Sequence, residues 1–257
     1  NGIVAVGDIS NQSISKTVKI DSKLHYHTFI EAMGFHPDRA ETIMDHAKEI
    51  SAEFKPLTTS IVPHAPYSVS TALLKLISAN SAAENATLSI HNQESVSENL
   101  FFQQKTGSFL ELYDFLKLDI SFFQPTGKTS LQSYLPNITR RKMLLVHNTV
   151  TSKADIDFAK QTANDLYWCL CPQANLYIEN TLPNVDLLIE EDLKITFGTD
   201  ILASNHQLNI LAEMKSLQHH KKIDFEKLLK WATLNVAEFL ALDAKFGSIE
   251  VGKTPGL

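Results

Sequence analysis

Six short, largely apolar stretches, at residues 3–7, 58–62, 87–90, 142–146, 166–170 and 193–197, give way to polar or turn-forming residues, and a seventh, 23–30 (KLHYHTFI), alternates and carries aromatics. Runs of this length bounded this way read as strands. Stretches with helical spacing lie between and after them, at 37–53, 70–82, 96–117, 153–163, 208–217 and 225–240. Leu73, Leu74 and Ile77 share one face of the second stretch. Pro37 stands in the first turn of the first stretch, where its missing N–H is tolerated. Strands alternating with helices build a parallel sheet with crossover helices. A chain of 257 residues with no linker, repeat or low-complexity segment suits one (β/α)8 barrel. The expectation is therefore α/β: a single TIM-like barrel domain over residues 1–257, one strand short of the eight that closure requires.

A formal net charge of −6 and a pI near 5.9 leave no basic footprint for nucleic acid or an anionic membrane. The basic cluster His219-His220-Lys221-Lys222 reads as a solvated helix end. No apolar run reaches membrane-spanning length. The only two cysteines, Cys169 and Cys171, stand at i and i+2 of a strand and are poorly placed to bridge each other. They point to a reducing, cytoplasmic compartment and against a zinc–cysteine site. The opening residues, Asn1 to Asp8, read as the middle of a domain, with none of the features of a signal peptide. Trp168 and Trp231 read as core. Phe101, Phe102, Phe122 and Phe123 read as core packing first, with a lid over a pocket or a homodimer contact as the alternatives.

Four of the runs end in residues that bind metals or move protons: His64, His91 with Glu94, His147, and Asp200. In a parallel barrel all four strand ends lie on one rim, where active sites form. A lone strand-end histidine commonly does no more than cap a loop; four such ends together are hard to attribute to chance. Imidazole and carboxylate ligands suit a divalent metal with an open position for water, whose pKa then falls towards neutrality. Asp200 can ligate such a metal and accept the water's proton, and Glu94 can pass a proton to a leaving group. His147 can hydrogen-bond the attacking oxygen or the oxygen that becomes negative, or bind a second metal. His25 and His27 also point to one face of a strand. They sit mid-strand, however, and read as packing. His206 either lines a pocket mouth or serves as a polar residue at a helix N-terminus.

Several segments together resemble the amidohydrolase superfamily, specifically its chlorohydrolase, guanine-deaminase and S-adenosylhomocysteine-deaminase group. Pro63-His64-Ala65-Pro66-Tyr67-Ser68 is similar to the family's strand-4 substrate segment. His91 to Ser95 resembles its His-x-x-Glu-Thr segment, and Cys171-Pro172-Gln173-Ala174-Asn175 its Cys-Pro-x-Ser-Asn turn. Gly198-Thr199-Asp200-Ile201-Leu202-Ala203-Ser204-Asn205 is close to Gly-Thr-Asp-Ser-x-Ala-Ser-Asn. Ala232-Thr233-Leu234-Asn235 with Gly247-Ser248-Ile249-Glu250-Val251-Gly252-Lys253 matches the C-terminal signature. The strand-8 and C-terminal segments are the most specific, and the matches run nearly end to end.

The resemblance implies one divalent metal, zinc foremost with iron or manganese also suited, held by His91 and Asp200. It implies Glu94 as proton shuttle, His147 beside the activated water, and His64, Tyr67 and Asn205 on a small-molecule substrate. The implied reaction is hydrolysis of a C–N bond in a ring or amidine-like group, often deamination. The alternatives are a cyclic-amide or chloro-substituted-ring hydrolase, and an inactive barrel retained as a binding module. Three departures stand out. The family's first-strand His-x-His has no counterpart, its companion β-sandwich is missing, and Ile201 replaces the usual serine. A fragment that starts after the first strand and stops before the sandwich accounts for the first two, and for a count of seven strands.

Overall fold

The computed structural model describes residues 2–139, 142–162 and 165–254. β1 (Ala5–Ile9) leads through α1 (Lys16–Asp21) to β2 (His25–Ala32), and α2 (Ala40–Glu53) leads to β3 (Thr58–Pro63). α3 (Thr71–Glu84) precedes β4 (Leu88–Asn92). α4 (Val96–Gln104), α5 (Phe109–Phe115) and α6 (Ser130–Tyr134) then lead to β5 (Lys142–His147). Next come α7 (Lys153–Thr162), β6 (Asp165–Leu170), α8 (Pro172–Glu179), α9 (Val185–Glu190) and β7 (Lys194–Phe197). α10 (Ile210–His220), α11 (Phe225–Ala232) and α12 (Leu234–Phe239) come last.

Every strand pairing is parallel, in two ladders ordered β1-β2-β3 and β4-β5-β6-β7. They meet at β3 and β4, where the His91 N–H donates to the His64 carbonyl at 2.9 Å. Among the described residues, β1 and β7 pair with a strand on one side only. This is the expected barrel, with seven strands among the described residues. All seven expected strands are present, with boundaries shifted by a few residues. β4 extends through His91 to Asn92 because Asn92 stays in register with His147 of β5.

The helices depart further from expectation. The 96–117 stretch is two helices, because Lys105 adopts a left-handed conformation (φ 55°) and Gly107 follows at φ 94°. The 225–240 stretch breaks at Thr233 (φ −126°, ψ −80°). Past the break, the Asn235 amide donates to the Ile195 carbonyl at 2.7 Å, tying α12 to β7. Gly247 (φ 88°) lies so close that a Cβ there would sit 2.9 Å from the Leu234 Cα. The C-terminal signature is thus a packing device. α1, α6, α8 and α9, with five to eight residues each, are too short to show a helical period. The expected end of the 153–163 helix at Ala163 lies outside the described residues, as do Asn1 and the terminal Pro255, Gly256 and Leu257.

Trp168 and Trp231 are buried in the main core. Phe101, Phe102 and Tyr113 form a satellite core, with Phe35, Phe109 and Phe123 packed on it. Phe122 stays partly exposed against Phe35 and His36. Both cysteines are buried free thiols, Cys169 on β6 and Cys171 just past its end, at the N-cap of α8. His219 and His220 lie exposed in the last turn of α10. No helix among the described residues is long and apolar enough to cross a membrane.

His27 takes a packing position, whereas His25 is exposed at the start of β2. The His25 ring lies 4.8 Å from Phe246, and His27 lies 4.7 Å from Phe29 with Nε2 2.8 Å from the Ser60 hydroxyl. Burial pushes the His27 imidazole down to about 4. Its unfolded counterpart takes up a proton near 6.5, so the unfolded chain binds more protons in between, and stability falls as pH drops through that window. His27→Gln is expected to recover about 2–3 kcal/mol of that acid loss, measured as the difference in urea unfolding free energy between pH 7 and pH 4.5.

Candidate metal centre and active site

The C-terminal ends of the strands converge on one rim. His64 follows β3 by one residue, His91 lies within β4, His147 ends β5, and Asp200 stands three residues beyond β7. Ligating atoms of His91, His147 and Asp200 lie within 4.8 Å of one another. Glu31, His64 and His91 form a second such group that shares His91.

The His64 carbonyl decides the state of His91. It accepts from the His91 backbone N–H at 2.9 Å, and His91 Nδ1 lies 2.8 Å from the same oxygen. A carbonyl only accepts, so Nδ1 carries the proton and Nε2 keeps a free lone pair. Holding a ligating histidine through its other nitrogen is how proteins fix ring orientation at metal centres. The His64 ring packs edge-on to His91 at 4.9 Å, with its Nδ1 2.7 Å from the Ser68 hydroxyl. Burial, reinforced by His91, lowers His64 to about 4, so it is neutral near pH 7.

His147 is 1% exposed, and its ring stacks on His91 at 5.4 Å. Burial, with His91 nearby, holds its imidazole well below the usual histidine range, which leaves a neutral ring able to ligate. Nε2 lies 3.5 Å from Glu94 Oε1, and Asn175, from the turn that opens α8, approaches Nδ1 at 3.4 Å. Burial raises the Glu94 carboxyl, and Asp200 and Glu179 add to the rise, while His91 opposes it. A carboxyl raised in this way is suited to carrying a proton. Asp200 accepts a hydrogen bond on Oδ2 from Ser204. Tyr67 sets its ring edge-on to His64 at 6.0 Å and rests on Phe109 at 4.1 Å.

Gln93, His147, Asn148 and Asp200 all have φ between 47° and 77°. Left-handed backbone costs non-glycine residues about 1–2 kcal/mol each, and such strain gathers at functional sites. Neighbouring hydrogen bonds hold it in place: the Asn92 amide donates to Asn148 Oδ1 at 3.0 Å, and the Asn148 amide donates to the Leu145 carbonyl at 2.8 Å.

Two residues stand apart from the sequence expectation. Asn205, expected on the substrate, directs its amide N–H groups at the Thr199 carbonyl and Glu213 Oε1, both at 2.7 Å, and accepts from the Gln207 N–H. Its polar atoms brace the loop after β7. His206 is exposed beside Tyr177, and the helix N-cap expected nearby is Asn209. Glu31 was missed. Its carboxyl is 7% exposed and lies 3.6 Å from His91 Nδ1, with burial raising its pKa. The signal was present: Glu31 is two and four residues from Phe29 and His27, hence on the same strand face, and nearest the C-terminal end of β2.

Gly198 sets the approach of β7 to β6. A Cβ at this position would lie 2.9 Å from Cys169 Sγ and 3.1 Å from Cys171 Sγ. Gly198→Ala is expected to lower stability by about 1–3 kcal/mol, and the Cys169→Ala background should remove part of that loss, as read by thermal unfolding of the single and double variants.

The His91 imidazole with a free lone pair at Nε2, the neutral ring of His147 and one carboxylate meet here, and imidazole and carboxylate donors suit zinc, iron or manganese. The amidohydrolase family profile matches residues 11–257. The chain belongs to the amidohydrolase family. A Helicobacter pylori protein described as adenosine deaminase is 28% identical, over 100% of this chain and 64% of its own length. A Clostridium tetani 5-methylthioadenosine/S-adenosylhomocysteine deaminase is 26% identical over 76% of this chain and 42% of its own. The chain thus spans from under half to just under two thirds of these relatives. The crystal structure of Helicobacter pylori aminofutalosine deaminase superposes with a TM-score of 0.83 at 25% identity, covering 97% of this chain and 63% of that one. A Xanthomonas campestris adenosine deaminase with bound zinc shares the fold, with a TM-score of 0.64 at 21% identity over 97% of this chain and 56% of that one.

Proposed function

We propose that the protein hydrolyses the C–N bond to an exocyclic amine on a nitrogen heterocycle of the adenine nucleoside type and releases ammonia. The observation that carries this reading is the meeting of His91, His147 and Asp200 ligating atoms within 4.8 Å, with the Glu94 carboxyl 3.5 Å from His147. The relatives named above act, by name, on adenosine, 5-methylthioadenosine and S-adenosylhomocysteine, and that supports the substrate class.

His91 and Asp200 would hold a divalent ion, zinc foremost, with the His147 ring in the same cluster. When bound, the ion supplies a water acidic enough to lose a proton near neutral pH. The residues of the chain do the rest. Asp200 accepts a proton at its carboxylate. Glu94, its carboxyl raised by burial, delivers a proton to the departing nitrogen. His147 hydrogen-bonds the oxygen that gains negative charge. His64 and Tyr67 orient the ring from one wall, where the neutral His64 side chain suits an uncharged heterocycle.

Assayed in the full chain as encoded, Glu94→Gln is expected to lower ammonia release from S-adenosylhomocysteine or adenosine by at least about 100-fold, with metal content near wild type by elemental analysis. Undiminished turnover in that variant would remove Glu94 from the mechanism. Asp200→Ala is expected to lose metal and activity together; full metal retention would exclude it as a ligand.

A further inference from the structure

The turn that carries Glu94 is held by a carboxylate that lies outside the pocket. Glu98, in the first turn of α4, is fully buried. Ser95 is the N-cap of that helix, and its hydroxyl accepts from the Glu98 N–H at 3.3 Å. In a capping box the acidic residue at this position folds back onto the N–H of the cap residue itself. Glu98 reaches further upstream. Oε1 accepts from the Gln93 N–H at 2.9 Å, and Oε2 accepts from the Glu94 N–H at 3.2 Å. Ser130, the first residue of α6, donates its hydroxyl to the same Oε1.

These bonds grip the point where the chain leaves β4 and turns left-handed at Gln93 (φ 47°). The turn places Glu94 Oε1 3.5 Å from His147 Nε2. A second buried carboxylate holds the Gln93 side chain: its amide donates to Asp155 Oδ2 at 3.1 Å, while Gln93 Oε1 accepts from Thr151 at 2.8 Å. Asp155 in turn accepts from Thr129, Gln132 and Ser152. Two acidic residues from different helices are therefore used on a turn of three residues. Buried backbone N–H groups need acceptors, and these two find theirs on one side chain.

We propose that Glu98 is a positioning residue: by accepting from the backbone N–H groups of Gln93 and Glu94, it sets where the proton-carrying carboxyl of Glu94 sits. The inference rests on the role given to Glu94 above. Glu98→Gln keeps the shape of the side chain but offers one oxygen, so one N–H faces an NH2 group and loses its acceptor. With S-adenosylhomocysteine as the probe, kcat for ammonia release is expected to fall by about 10- to 100-fold, with KM within about twofold and metal content unchanged. Amide exchange at Gln93 and Glu94 should quicken selectively. A role confined to stability would instead lower Tm while leaving kcat per folded molecule and the exchange of these two amides as in wild type, and that result would overturn the proposal.

Ser130→Ala removes only the outer donor to Glu98 and keeps the question answerable if Glu98→Gln does not fold. It is expected to lower kcat by about two- to fivefold at unchanged KM; wild-type kcat together with wild-type exchange at Gln93 and Glu94 would overturn the proposal. The two readings separate cleanly. Full activity in Glu94→Gln defeats the role of Glu94, whereas inactive Glu94→Gln alongside fully active Glu98→Gln defeats only the positioning role.

Discussion

One backbone carbonyl, that of His64, joins the two halves of the sheet and prepares the site. It accepts from the His91 backbone N–H, which bridges the three-stranded and four-stranded ladders, and from His91 Nδ1, which turns the Nε2 lone pair outwards. The same contact that brings β3 beside β4 therefore also chooses the tautomer of His91, the residue proposed as a metal ligand. Because all strands run parallel, their C-terminal ends share one rim, and whatever each strand delivers there meets the rest. His91 stacks on His147, packs edge-on to His64 and faces Glu31, so four elements depend on its placement.

The rim is also where the fold departs from easy backbone. Gln93, His147, Asn148 and Asp200 are left-handed, and each is surrounded by buried polar groups that leave it little freedom to relax. Glu98 and Asp155 hold the turn after β4, Asn148 bridges β4, β5 and β6, and Glu213 accepts from both the α8 turn and Asn205. Such carboxylates are costly to bury, and this cost is offset only where several donors converge on them. Glu98 shows the balance: burial raises it to about 7 even against three hydrogen bonds from Ser130, Gln93 and Glu94. That polar density lies around the proposed catalytic groups, whereas apolar side chains make up the main core.

Much of this was visible in the linear chain. The strands were legible because six are short, largely apolar stretches with a polar end and β2 alternates, patterns that local sequence controls. His64, His91, Glu94, His147 and Asp200 were legible because each stands at or just past such an end. Short helices such as α6 and α9 were not, since five or six residues cannot display a period. The break at Thr233 was hidden because its causes, the Ile195 carbonyl and Gly247, come from distant parts of the chain. Asn205 was legible only through the family resemblance, and its partners Thr199 and Glu213 come to it by folding.

By itself the sequence determined the parallel βα order, the polar residue at each strand end and the chemical character of the group they form. It also carried the motifs by which the family is recognised, because these are local strings. Only the tertiary structure decided which nitrogen of His91 is free, that Glu31 lies beside His91, that the Asn205 amide meets Thr199 and Glu213 and that Glu98 grips the turn before Glu94. Each of those outcomes depends on a hydrogen bond or approach between side chains and backbone brought together by folding, and no local pattern records which partner a polar atom will find.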